Sequence, residues 1–567
     1  INVQCPPPPV CKAVTSPYRT LDGSCNNIKQ STWGQSRTQL QRILSPDYAN
    51  GIRLPRRAKN GGELPSPRLV STSVVRDNLN HPHESNSYWV TQFGQFTDHD
   101  ITQTVASKMD DLKDIECCAP DGQFLDSRNV HPECLPIDIP ANDPFFSRFG
   151  RRCMTFVRSA PARRADCKLG YVEQMNDNTH FLDASQVYGS DEKKAKDLRS
   201  TFDLLPADDE FTAPCTLSKT LSGIDPPSHV KCFDAGDPRS SEIPELAVTQ
   251  TILMRQHNKL VGELAAQNPH RDGEHLYQEA RRILIAQMQH ITYNEWLPII
   301  LGRTKMVELG LLTLKEGFSN DYDPNVNPSI LNEFATVAFR FGHSLVQGKH
   351  ELFNHNRKLT DSINLRNHFF KTQMVYTPGN VDKFLIGLAT QPDQSVDNIV
   401  TEELTNHLFE EEGKGFGFDL VSLNIQRGRD HGIPGYNAYR VLCGLPRANN
   451  FDDLKDHIPQ GIVDQFKSVY ASVDDIDFYI AGISERPAAG ALVGPTFQCI
   501  IADQFLKLKQ GDRFFYDLGG QSGSFTESKF PFHFLQEIRK ISWARIICDN
   551  SNIQTVQPLL FKSVSGL

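Results

Sequence analysis

No apolar run in this sequence approaches the roughly 20 residues that a membrane-spanning helix needs. The strongest, Trp296 to Leu301, contains a proline and stops at Gly302, so no membrane span is expected. Positive charge is also scarce. With 59 Lys and Arg against 68 Asp and Glu, the formal charge is -9, and no global basic field exists to hold nucleic acid or an anionic membrane. CxxC pairs of zinc spacing are absent, as is any Asn-x-Ser/Thr sequon with x other than proline. There is no internal repeat, and low complexity is confined to Pro6 to Pro9. The first residues, Ile1-Asn2-Val3-Gln4-Cys5, lack the basic and apolar regions of a signal peptide and read as a processed end.

Cysteine, by contrast, is plentiful. Thirteen are spread unevenly: Cys5, Cys11 and Cys25 near the start, six between Cys117 and Cys215, then Cys232, Cys443, Cys499 and Cys548. Without metal-binding spacing, they read as a disulfide set, which implies an oxidising compartment and a secreted protein. The odd total leaves at least one without an internal partner. Hydrophobic residues at 39% supply enough apolar material for a large core, and the length leaves the domain count open.

Residues 1–85, rich in Pro, Gly, Asn and Arg with little periodicity, are expected to form an irregular arm tied down by disulfides. From about Ser87, within a main domain over 86–567, apolar residues recur at three- and four-residue spacing. This pattern predicts helices near 87–106, 244–267, 274–297, 330–347, 400–412 and 498–508. Pro244 suits a first turn and Gly302 a stop. Strand signals are few and short, so the expected fold is mostly α with long connecting loops.

Four segments carry chemistry-bearing residues. In Gln95-Phe96-Thr97-Asp98-His99-Asp100, side chains on a helix diverge by about 100° per residue. Asp98, His99 and Asp100 therefore point three ways, which suggests three jobs; a solvated turn is the plain alternative, but flanking Trp89, Phe93 and Phe96 argue for burial. In Phe339-Arg340-Phe341-Gly342-His343, Arg340 and His343 share a face, and His343 is either a hydrogen-bonded core histidine or a metal ligand. Thr179, Phe181, Asp183 and Ser185 alternate in a loop, offering three oxygen-bearing side chains and a backbone carbonyl. That is a hard-cation pattern lacking its second carboxylate, or simply a turn. In Asp237-Pro238-Arg239-Ser240-Ser241-Glu242, capping accounts for Ser241 and Glu242 but not for Arg239, which a helix N-terminus repels.

Together with Asp183-Ala184-Ser185-Gln186-Val187-Tyr188-Gly189, Arg429-Asp430-His431-Gly432-Ile433-Pro434-Gly435-Tyr436-Asn437 and Arg545-Ile546-Ile547-Cys548-Asp549-Asn550, these segments resemble the animal haem peroxidases, over about Cys11 to Asn550. The resemblance implies an enzyme that uses hydrogen peroxide to oxidise halides, thiocyanate or small phenolic and tyrosyl donors. It makes His99 the base, Gln95 a lining residue of the peroxide and halide pocket, and Arg239 the cation beside it. His343 becomes the iron ligand, with Asn424 as acceptor for its Nδ1–H, while Arg340 and Arg427 match positions that hold the haem propionates. Asp100 then supplies the missing carboxylate of a calcium site with Thr179, Phe181, Asp183 and Ser185. Asp98 and Glu242 match the carboxylates that form ester bonds to haem. Position 243 is Ile, so no sulfonium link can form.

The resemblance also implies the disulfides Cys11–Cys25, Cys117–Cys134, Cys118–Cys153, Cys215–Cys232, Cys443–Cys499 and Cys5–Cys167, leaving Cys548 over. Host defence and extracellular cross-linking are the roles it suggests, with a cell-surface or matrix partner. Two other readings stand beside it. An adhesive ligand of the peroxinectin type is weakened by the absence of Arg-Gly-Asp or Lys-Gly-Asp, since Arg427 to Asp430 reads Arg-Gly-Arg-Asp. A fatty-acid oxygenase needs a lipid channel and a radical tyrosine that the sequence does not locate.

Overall fold

Aromatic rings bury the helix with which the main body begins. In the computed structural model, which describes residues 7–11, 16–199, 212–214, 231–525 and 531–563, this helix is Trp89–Ile101. Trp89 meets Trp543 edge-on at 5.3 Å, and Phe93 packs on both Trp543 and Phe561. Trp296 donates from Nε1 to the Val90 carbonyl at 2.9 Å, and a Cβ on Gly94 would lie only 3.0 Å from its ring. The helix stops short of the expected 106 because the chain turns to pairing. The Gln103 N–H donates to Asn176 Oδ1 at 2.7 Å, and Thr104 bridges Asn176.

Two long helices, Pro244–Gln267 and Gly273–Ile291, pack together behind it. The first starts with Pro244, whose missing N–H costs nothing in a first turn; the second is capped by Asp272, which accepts from the His275 N–H at 2.8 Å. The helix expected to run on to 297 instead widens into a π turn, Thr292–Trp296, before resuming as Leu297–Leu301. Thr292 Oγ1 bonds back to the Met288 carbonyl at 2.8 Å, a competitor for the regular ladder. Gly302 does stop this run: it sits at φ 78°, and a Cβ there would come within 2.9 Å of the Gly490 carbonyl.

Two expected helices are corrected. The segment 330–347 divides into Asn332–Thr336 and a 3-10 stretch, Ala338–Leu345, with the break at Val337. Arg340 Nε donates to the Ala335 carbonyl at 3.1 Å, taking over a bond that the continuous helix would have made. The segment 400–412 is helical only over Glu402–Thr405. Asn406 leaves the helix to bind Asp77 and Arg68 with its side chain and the Gly417 N–H with its carbonyl. The expected 498–508 helix is longer, Pro495–Gln510, because Pro495 opens it.

Among its described residues the arm before Ser87 contains one helix, Pro67–Val74, capped by Ser66. Its Arg68 is buried and fully engaged, donating to Asp143, Asp419, Asn406 and the Thr405 carbonyl. Among the described residues all sheets are small. The largest has three strands in the order Thr38–Gln39, Glu173–Asn176, Pro161–Ala162, all antiparallel. Cys11–Cys25, Cys117–Cys134, Cys118–Cys153 and Cys443–Cys499 are bonded as expected, and Cys548 is free. Cys167 is disulfide-bonded; Cys5 and Cys215 lie outside the described residues, and with them the expected pairs Cys5–Cys167 and Cys215–Cys232. No helix among the described residues is long and apolar enough to cross a membrane.

Candidate active site

The last turn of Trp89–Ile101 and the 3-10 turn Pro238–Ser241 bring His99, Asp98 and Arg239 together. Arg239 is held by Asp237 through two bonds, Nε to Oδ1 at 3.0 Å and Nη2 to Oδ2 at 2.8 Å, and also donates to the Thr102 carbonyl at 2.7 Å. Its Nη1 lies 3.8 Å from Asp98 Oδ2. Burial, reinforced by the Arg239 charge, pushes the His99 imidazolium down to about 3, so the ring is neutral at ordinary pH. Burial also raises Asp98, and raises Glu242 to about 7 against the opposing pull of Arg239. Asp98 and Arg239 keep 26% and 16% of their side-chain surface open. Gln95 and Glu242 are also only partly covered.

His343 stands on the 3-10 stretch opposite. That stretch packs against the helix Trp89–Ile101, and the charge of Arg340, three residues before His343, opposes the burial-driven rise of Asp98. Nδ1 of His343 is 2.8 Å from the Asn424 side chain on helix Leu420–Asp430. The expected contact is present, but its polarity is reversed. Asn424 turns Nδ2 to the ring while its Oδ1 accepts from Arg340 at 2.9 Å; a half-turn of the amide exchanges the two atoms. Arg340 is pushed down to about 10 by burial and by Arg427, and it bonds only neutral oxygens. Arg427 stacks 4.0 Å over Phe156 and donates to the Val157 carbonyl and Ser159.

Asp100, on the third face of the same helix, meets the loop 179–185. Its carboxylate accepts from the Ala184 and Ser185 N–H groups at 3.1 and 2.7 Å and from Ser185 Oγ at 2.9 Å. Thr179 Oγ1 donates to Asp183 at 2.7 Å. Asp100 and Asp183 are both driven above the ordinary carboxylate range by burial, and the Asp183 charge raises Asp100 further. The Phe181 ring fills the space over Gly34, where a Cβ would come within 2.3 Å of it. Among the described residues no three His, Cys, Asp or Glu side chains gather as a metal site.

Sequence reasoning missed two buried groups here. Asp237 read as part of a capping segment, and Asn178 was not singled out, although its Nδ2 donates to the His99 carbonyl at 2.5 Å and to Asp237 at 3.3 Å. No periodicity marks either one. The Arg429–Asn437 motif proves to be a structural lock. Arg429 pairs with Asp477, Asp430 with Arg158, and His431 bonds Ser159 and Thr336. Gly432 at φ 63° gives way to the Tyr48 ring, which a Cβ would meet at 2.7 Å.

Comparison with known proteins identifies the family. The family model for animal haem peroxidase matches residues 18–561. The chain is 39% identical over 571 residues to chorion peroxidase of Drosophila melanogaster, covering 98% of this chain and 68% of that protein. It is 38% identical over 583 residues to the peroxidasin homolog of Homo sapiens, covering 96% of this chain and 37% of that protein. Among solved structures, peroxidase A from Dictyostelium discoideum matches with a TM-score of 0.77 and 28% identity, over 96% of this chain and 99% of that one. The chain is a peroxidase, and it belongs to the animal haem peroxidase family.

Proposed function

We propose that the chain works outside the cell, using hydrogen peroxide to oxidise halide, thiocyanate or small phenolic and tyrosyl donors in the cleft between His99 and His343. The observation that carries this reading is the pairing of a neutral, buried His99 beside Arg239 with His343 and the half-buried Arg340 on the stretch packed against the same helix. Bound haem supplies the redox chemistry. The residues present fit it: His343 would be the iron ligand with Asn424 behind it, and Arg340, a half-buried cation that donates to the Ala335 carbonyl and the Asn424 amide oxygen, would hold the propionates with Arg427. Asp98 and Glu242, both half-buried carboxyls raised by desolvation, are the groups for ester bonds, and Ile243 offers no sulfur.

Within that cleft His99 takes a proton from hydrogen peroxide and returns it to the departing oxygen, as a base and then an acid. Arg239 stabilises the negative charge that develops as the O–O bond breaks, and Gln95 lines the pocket. Asp100 and Asp183, raised by burial and like charge, suit a calcium ion shared with Thr179, Ser185 and the Phe181 carbonyl. Such an ion would fix the turn that carries His99. Extracellular placement rests on the disulfides and on a relative named for the chorion. Steady-state rates with bromide, chloride, thiocyanate and tyrosine at several pH values test the donor class. No peroxide-dependent oxidation of any of the four would overturn it.

A further inference from the structure

Arg239 stands where a helix N-terminus would repel it, so something must hold it there. Asp237 does. It is 1% exposed, and both of its oxygens are committed to the guanidinium. An ordinary cap needs only one oxygen, and Asp237 also makes that bond, accepting from the Arg239 N–H at 2.8 Å. The second guanidinium bond and the burial go beyond capping. Burial alone would raise this carboxyl, yet the charge and hydrogen bonds of Arg239 hold it below the usual range.

The backbone beneath it cannot drift. The Asp237 N–H donates to the Gln186 carbonyl at 3.0 Å and the Gly236 N–H to the Val187 carbonyl at 3.1 Å. A Cβ on Gly236 would lie 2.1 Å from the Ser185 carbonyl oxygen, so the two segments touch backbone to backbone. Asn178 ties the same carboxylate to the His99 carbonyl. Oδ1 of Asp237 is 3.9 Å from His99 Nδ1, beyond hydrogen-bond length but close enough for the charge to be felt.

From this geometry we infer that Asp237 is the positioning residue of the active site: one carboxylate that aims the Arg239 guanidinium and keeps it in register with His99. It touches neither peroxide nor donor and acts through Arg239. The inference rests on the roles proposed for His99 and Arg239, so the test separates the two. In the haem-loaded enzyme, the rate of reaction with peroxide and the affinity for cyanide, a ligand of the same pocket, are measured for four variants. Asp237→Asn, which keeps the shape and loses the charge, should slow the peroxide reaction about ten- to a hundredfold, the usual cost of losing an outer partner. Cyanide affinity should fall with it, haem content and melting temperature staying near wild type. Asp237→Glu should recover most of the rate. Asp237→Asn added to Arg239→Ala should cost nothing beyond Arg239→Ala alone, because the carboxylate then has nothing to aim. A wild-type rate in Asp237→Asn, or a double variant whose losses multiply, overturns the inference. A wild-type rate in Arg239→Ala overturns the site reading itself.

Discussion

Replacing Asp183 by Asn should change stability in opposite directions with and without calcium. The variant keeps the shape of the side chain and an oxygen for Thr179, whose hydroxyl donates to Asp183 at 2.7 Å. What it removes is one of two buried carboxylates, the one whose charge raises Asp100. With calcium at about a hundredfold over its dissociation constant, the ion stabilises the wild type by about 2.7 kcal/mol, and the variant loses most of that gain. At about 2.1 cal/mol/K per residue, unfolding 567 residues carries an entropy of about 1.2 kcal/mol/K, so the melting temperature should fall by about 2 °C. In chelator the order reverses, because the wild type must then bury both carboxylates without the ion, and burial outweighs the pull of Arg19 and Arg281 on Asp183. Both acids have folded-state values above their unfolded ones, so the contribution of this pair to the calcium-free wild type is full below the unfolded carboxylate values and is lost as pH rises through the raised ones. The reversal should therefore widen with pH. Calorimetry of both proteins, with calcium and with chelator at two pH values, checks this. A variant less stable than wild type under every condition would show that Asp183 serves only as a hydrogen-bond partner.

Three further outcomes are expected. His99→Ala should retain haem but slow the reaction with peroxide at least about a hundredfold, the low end of general acid–base contributions; unchanged stopped-flow traces would mean another base. Protein treated with small amounts of peroxide should keep haem on the peptides containing Asp98 and Glu242 after acid and organic extraction, as read by mass spectrometry, and complete extraction would refute the esters. His99, His180 and His343 are each held down to about 3 by burial, so the folded state binds fewer protons than the unfolded one. The stability of haem-free protein should be full above about 6.5 and decline as pH falls from there toward 3, which denaturant titrations across that window measure.

Much of this was legible where local rules act alone. Trp89–Ile101, Pro244–Gln267 and Pro495–Gln510 follow from apolar spacing and from proline in a first turn. Gly302 stopped its helix as expected because no other residue fits against Gly490. The misses arise where distant segments decide. Nothing local announces that Arg340 will bond the Ala335 carbonyl across a broken helix, or that Asn406 will leave its helix for Asp77 and Arg68. In the site, the three directions of Asp98, His99 and Asp100 could be read from helix geometry, and the structure places each against a different partner. Asp237 could not be so read, since its significance lies in a guanidinium two residues away and in a backbone clamp onto 185–189.

The central claim is that this fold holds haem through His343. Its most direct test is the absorption spectrum and haem stoichiometry of purified protein beside His343→Ala, with circular dichroism to show that both are folded. The account predicts a Soret band and one haem per chain for the wild type, and a folded variant without stable haem, because its one proposed protein bond to iron is gone. Full haem with an unaltered spectrum in His343→Ala would contradict it.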